Sequence, residues 1–380
     1  MIMLLTTLAA VHAAQAMVAT EPRSVLNEMQ AAGAAVDATG FRAPRAACLE
    51  ATEWEAPPEG IEREQWESID GRERLAVKLA RSWAGVDDYD TPEAPPDPLR
   101  PVYWDIDELR SLATPAATAR ARRDRRRRDK LRAMVDASSA AKIDAAVDLV
   151  DARAARGNFG ARGAARVRNV AGTLVAGALV ATSTLPPAAA EEIGRSPPFR
   201  FVFVVAALAA LACRAPDAVL VPGAHLCAAD GRDGLEPRYD AWRDEISYEG
   251  SVDEPVRLAP PPASSSLDLL FDRAVVGGRS ERSLVVDGAV ALVGEDLRLR
   301  APPFDPRDYD DPQDAAKHWR PFQAAPRNAE PFRAAARRDL AKLRSATDVA
   351  PAGDVSRRRL ALARAFRDEQ ERLLERFVDL

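Results

Sequence analysis

The chain has 380 residues with a net charge of -5, length for two or three domains, and 47% hydrophobic residues, enough for a core. Alanine supplies much of that apolar total, only 6% of residues are aromatic and there are 29 prolines, so irregular chain is expected beside smaller folded units. The negative balance argues against bulk attraction to nucleic acid, and Cys48, Cys213 and Cys227 lack the number and spacing of a disulfide scaffold or zinc ribbon, leaving only a Cys213–Cys227 bridge open.

The first sixteen residues, "MIMLLTTLAAVHAAQA", have an apolar core followed by Ala14-Gln15-Ala16, the small residues a signal peptidase reads. They predict a signal peptide over 1–16 and a secretory-pathway or membrane-associated protein. "ATGFRAPRAA" around Phe41 is similar to the Phe-containing junction of two-part plastid leaders in algae, which makes a plastid the alternative destination. Residues 17–58 read as irregular leader or linker. From 59 to 165 the chain reads as a helical region. Ile61, Trp66, Ile69, Leu75, Leu79 and Trp83 recur at nearly helical spacing, with Gly71 as an interruption. A proline-rich linker follows, and helix resumes from Ile106 to Arg156 with a break at Thr114-Pro115.

Inside that helix "RARRDRRRRDK", residues 120–130, places eight basic residues in eleven. Arg122, Arg123, Arg125, Arg126, Arg127 and Arg128 are candidates for a patch that meets an anionic phospholipid surface or a phosphate. The bland alternative is a solvated helix face. Nucleic acid is disfavoured because no aromatic residues interleave the run to stack on bases. Residues 166–213 hold two apolar segments. The 22 uncharged residues 169–190 reach the length of a membrane span, with a buried helix or a lumen-targeting signal as competing readings. The thirteen apolar residues 201–213, between Arg200 and Arg214, have the form of an internal signal peptide, as if two coding units had been joined.

"SLVVDGAVALVG", residues 283–294, predicts a β-hairpin: Leu284–Val286 and Val290–Val293 are apolar or β-branched, and Asp287-Gly288 supplies the tight turn. Two helices follow, one carrying Phe332, Ala336, Leu340 and Leu343 on one stripe. The last runs from about Val355 to Leu380 with Leu360, Ala363, Phe366, Leu373, Leu374 and Phe377. Asp354 is its expected cap, and Arg367 and Glu371 its expected surface pair.

"RSERSLVVDGAVALVGEDL", residues 279–297, resembles the region around the first active-site motif of the phospholipase D superfamily, H-x-K, four residues, D, six residues, G. Asp287 and Gly294 have the required separation. Downstream, Asp308-Tyr309, Trp319-Arg320-Pro321-Phe322 and Pro326-Arg327 are similar to segments of the family's eukaryotic branch, so the likeness covers about a quarter of the chain. It implies a small α/β fragment over 214–345, followed by a C-terminal helix over 353–380. It also implies phosphodiester chemistry in which one histidine attacks phosphorus, a second protonates the leaving alcohol and lysines hold the phosphoryl oxygens.

This chain departs where the chemistry sits. Ser280 stands at the histidine position and Arg282 at the lysine position, and no second copy of the motif is present. A serine hydroxyl without a base cannot replace a neutral imidazole as nucleophile near pH 7, whereas the guanidinium of Arg282 can grip a phosphate in bidentate fashion. His12 falls in the expected leader, and His225 and His318 lack the spacing to substitute. No Walker loop, GxGxxG, GxSxG or metal-ligand cluster occurs, so neither cofactor nor metal is expected.

The expected fold is thus mixed α and β and predominantly helical, with a helical and irregular N-terminal half. The expected function is that of a degenerate phospholipase D-like protein that binds a phosphate or phospholipid headgroup without normal hydrolysis. The alternatives are an active phosphodiesterase completed by another chain, and a helical membrane-anchored scaffold without catalysis. Nothing in the sequence sets the oligomeric state.

Overall fold

The computed structural model describes residues 22–37, 39–52, 55–87, 89, 91–156, 218–240, 243, 245–250, 255–260, 266–277, 283–286, 289–292, 298–300 and 330–379. These form a mixed α and β structure in which helix of all kinds accounts for about 53%. In chain order, helix α1 (Pro22–Ala31) precedes strands β1 (Ala35–Asp37), β2 (Gly40–Pro44) and β3 (Leu49–Ala51). Helices α2 (Arg63–Glu67), α3 (Gly71–Trp83), α4 (Ile106–Arg110), α5 (Pro115–Met134), α6 (Ala137–Ala140) and α7 (Ile143–Arg153) follow. Next come β4 (Ala155–Arg156), β5 (Ala218–Leu220), β6 (Glu236–Asp240), β7 (Glu245–Glu249) and α8 (Ser266–Arg273). Strands β8 (Ser283–Val286), β9 (Ala289–Leu292) and β10 (Arg298–Arg300) lead to α9 (Glu330–Ser345) and α10 (Asp354–Asp379).

Helix boundaries follow local chemistry. The apolar spacing over 59–85 yields α2 and α3, but the break falls at Ser68–Asp70, one step before Gly71. The reason is a capping box: the Asp70 carboxylate accepts from the Glu73 backbone N–H at 2.9 Å, and the Glu73 carboxylate accepts from the Asp70 N–H at 2.7 Å. Asp105 and Glu108 start α4 in the same way. Pro115 opens α5 at the expected break, where its missing N–H costs nothing.

The segment expected as irregular leader or linker instead carries α1 and β1 to β3. The sheets also run across the boundaries drawn from composition at 58 and 213. One sheet has the order β1-β2-β7-β6, antiparallel throughout, with Phe41 opposite Tyr248 and Ala43 opposite Ile246. A second has the order β3-β5-β4, with Leu49 opposite Leu220 and Ala155 opposite Val219. Local sequence hid these strands because each is short and both sheets are closed by long-range pairings, Phe41 with Tyr248 and Leu49 with Leu220, where pairing and burial outweigh propensity. The Phe41 and Tyr248 rings stack with centroids 4.8 Å apart. Gly40, at φ +147°, is required there: a Cβ would lie 1.8 Å from the Tyr248 carbonyl oxygen.

Two hydrophobic clusters lie on either side of α5. The larger joins both sheets to α3 and α7 through Trp66, Leu75, Leu79, Val147, Val219 and Ile246. The smaller gathers Trp104, Leu109, Leu112, Leu270, Phe271 and Phe366. The first turns of α5 contribute Ala117 and Ala121 to the smaller cluster, and its last turns give Leu131 and Met134 to the larger. The proline-rich linker ends inside the protein, with Arg100 and Trp104 each only 1% exposed.

At the C-terminal end, α9 packs against α10, and Ala363, Phe366, Leu373 and Leu374 bury the expected stripe. The expected Arg367–Glu371 surface pair does not form. Arg367 instead donates to Asp348 at 2.6 Å and to the Ser111 carbonyl at 2.9 Å, while Glu371 accepts from Arg344 at 2.8 Å. Packing between elements brings better-placed partners than the helix's own next turn. Cys48 and Cys227 are buried free thiols, so the Cys213–Cys227 bridge is not formed.

The transmembrane expectation is corrected as well. Among the described residues no helix is long and apolar enough to cross a membrane, and a membrane-anchored scaffold has no support. The apolar segments 169–190 and 201–213, like the leader 1–16, lie outside the described residues.

Candidate functional site

Ser280, Arg282 and Asp287 lie outside the described residues, as do His12 and His318. The backbone around them is informative. Strands β8 and β9 pair antiparallel with Val286 opposite Ala289, leaving Asp287 and Gly288 as the two residues between them. The hairpin does not stand alone: β10 adds to β9 with Leu299 opposite Ala291, giving the order β10-β9-β8, and β8 lies against α8, α9 and α10. Three strands with helices packed against them form a supported sheet, whereas an isolated hairpin is marginal in water.

The basic run lies in the middle of α5, and its side chains divide. Arg125, Arg127 and Arg128 point to partners within the protein. Arg125 Nε donates to the Val102 carbonyl at 2.9 Å, and its guanidinium also reaches the Trp104 carbonyl. Arg127 pairs with Glu73 at 3.0 Å and with Asp151 at 3.2 Å. Arg128 pairs with Asp148 at 2.6 Å and with the Tyr103 hydroxyl at 2.7 Å. Arg122, Arg123 and Arg126 are half-buried and have partners too. At the start of the run, Arg120 bridges to α8 through Asp268 and Asp272, each at 3.2 Å.

Asp148, on α7, is the hub of this lattice. Its two oxygens receive the Arg100 guanidinium, Arg128 Nη2 at 2.6 Å, the Tyr103 hydroxyl at 2.9 Å and the Asp97 backbone N–H at 2.9 Å. One helical turn on, burial would raise the Asp151 carboxyl, but Arg127 and Arg72 outweigh it and hold it far below the usual carboxylate range. The sequence showed the arginines and not these aspartates, whose spacing on α7 matches any polar stripe. Such a lattice fixes how α3, α5, α7 and α8 meet. Its ion pairs set the charges against one another, with Arg127 Nη2 and Arg128 Nε buried and without a hydrogen-bond partner.

Two open grooves lie elsewhere. One of about 610 Å³ runs between the start of α5 and the end of α9, past Ser111, Thr114, Thr118, Lys342 and Thr347. The other, of about 670 Å³, is rimmed by Glu59, Glu62 and Asp136. Among the described residues no group of three or more His, Cys, Asp or Glu could hold a metal ion. Compared with protein-family models, curated proteins and solved structures, the chain finds no match.

Proposed function

We propose that this chain is a degenerate phospholipase D-like protein that binds a phosphate group, such as an anionic phospholipid headgroup, through Arg282 and does not hydrolyse it. The observation that carries this reading is the spacing of Arg282, Asp287 and Gly294 around a strand-turn-strand, with Ser280 in place of the nucleophilic histidine. The three-stranded β10-β9-β8 sheet and the helices against it support the reading, because a grip on phosphate needs its arginine near a rigid element. Arginine keeps the electrostatic half of the family's chemistry, while serine without a base removes the covalent half.

Binding of short-chain phosphatidylserine, measured by calorimetry, is expected for the parent protein and lost in Arg282→Ala. Choline release from phosphatidylcholine is expected to be absent. Release by the parent protein would contradict the proposal, and so would lipid binding that survives Arg282→Ala.

A second reading is a non-catalytic helical scaffold. What favours it is the use of Arg125, Arg127 and Arg128 to hold the protein together. Unchanged lipid binding in Arg282→Ala, with no choline release, is the result that selects it.

A further inference from the structure

The groove of about 670 Å³ lies where the C-terminal end of α5 meets the loop that leads into α2. Ile61 and Met134 are its buried apolar lining, each 7% exposed, and Val86, Ala133 and Val135 are its more open one. Among the described residues four large apolar side chains are exposed, and Val86, at 47%, is the most exposed of them. A single exposed valine is ordinary. This one shares a concave surface with four other apolar side chains, which a covering group would remove from water.

The free charge on this groove is of one sign. Arg81, the one cation among its lining residues, is buried and already engaged: it donates to Asp87 at 2.9 and 3.2 Å and to the Glu59 carbonyl at 3.1 Å. Glu59 and Glu62 are exposed, and among the described residues no cation pairs with either carboxylate. Residues 59–67 carry four glutamates against one arginine, Arg63, which pairs with Glu67 at 2.7 Å. Asp136 stays ionised, because Ser138 and Ser139 donate to its carboxylate and hold it below the usual carboxylate range. Met134 is the last residue of α5, so the helix's final carbonyls add partial negative charge at the same place.

We propose that this groove docks a protein partner through a basic segment that also carries apolar side chains. Lysine or arginine stems lie along Ile61, Val86 and Met134, and their charged heads meet Glu59, Glu62 and Asp136 at the rim. Long basic side chains divide in this way between an apolar surface and its charged edge. A metal ion does not fit the same place, since among the described residues no three His, Cys, Asp or Glu are grouped to hold one. The groove takes the opposite charge from the one proposed for Arg282 and does not depend on that residue.

Fluorescence anisotropy of the full chain with a labelled decapeptide of alternating lysine and leucine provides the test. The controls are a lysine–serine peptide, which keeps the charge, and a glutamate–leucine peptide, which keeps the apolar side chains. The lysine–leucine peptide is expected to bind about tenfold more tightly than either control at physiological salt. The Glu62 side chain makes no cap hydrogen bond to α2, and Glu59 is exposed, so Glu59→Gln with Glu62→Gln is expected to leave Tm unchanged. The same pair of changes is expected to weaken peptide binding about tenfold. Val86→Ser is expected to weaken it about threefold to tenfold and to leave the lysine–serine peptide unaffected. Arg282→Ala is expected to change nothing, which separates this site from the headgroup proposal. No binding of the lysine–leucine peptide, equal binding of the lysine–serine peptide, affinity unchanged in the double glutamine variant, or affinity lost in Arg282→Ala would each overturn the assignment.

Discussion

Asp148 accepts from four donors on two oxygens, so the stability of its surroundings depends on one carboxylate. Asp148→Ala leaves Arg100 and Arg128 buried with a partner missing, and the expected loss is about 3–5 kcal/mol in denaturant unfolding. A loss below about 1 kcal/mol would mean that water or neighbouring Asp144 and Asp151 take over. At Gly40 the constraint is backbone: Gly40→Ala drives a Cβ into the Tyr248 carbonyl and is expected to cost about 1–3 kcal/mol. His225 sets a pH dependence. Its folded pKa is depressed below the ordinary value of about 6.5, so the unfolded chain binds more protons in that window. Stability is therefore full above about pH 7 and falls as the pH drops through the unfolded and then the folded value. His225→Asn is expected to flatten that part of the unfolding profile, and an unchanged slope would assign it to other groups. Of these residues Gly40 lies beside Phe41 in the leader-like stretch, and His225 enters the sequence only as a histidine without the spacing to act. Asp148 and His225 carry no local signature, because what distinguishes them is which distant side chains they meet.

Helix α5 shows what composition hides. Eight basic residues in eleven invite an outward-facing reading, yet acidic partners come from α3, α7 and α8 and draw the run inward. Replacing Arg127 with glutamine is thus expected to lower Tm before it changes affinity for anionic vesicles, since its charge is spent on Glu73 and Asp151. Weakened vesicle binding at unchanged Tm would restore the surface role. Helices α3, α9 and α10 were legible from the 3.6-residue spacing of their apolar positions, and the α5 boundary from Thr114-Pro115. Capping chemistry refined α3, where Asp70 and Glu73 place the break just before Gly71 and make that glycine the first residue of the helix. Strands β8 and β9 were legible from alternation and the Asp-Gly step, but β10 was not, since three residues of Arg-Leu-Arg carry too short a pattern.

On the scale of the molecule, the β1-β2-β7-β6 and β3-β5-β4 sheets tie the first fifty residues to the stretch from 218 to 249. A chain beginning at residue 59 loses β2 from the middle of one sheet and β3 from the edge of another. It is expected to show no cooperative unfolding transition. Those pairings join segments far apart in the chain and leave no local pattern, whereas the proposed phosphate site rests on the local spacing of Arg282, Asp287 and Gly294 alone. Both meet in the question of whether Arg282 grips a phosphate that Ser280 cannot attack. Phosphorus NMR of a short-chain phosphatidylserine mixed with the full chain tests this in a single spectrum. The expected result is a broadened lipid resonance, sharp again in Arg282→Ala, with no phosphatidate signal over hours. A growing phosphatidate resonance, or a lipid line as sharp as in buffer, would contradict it.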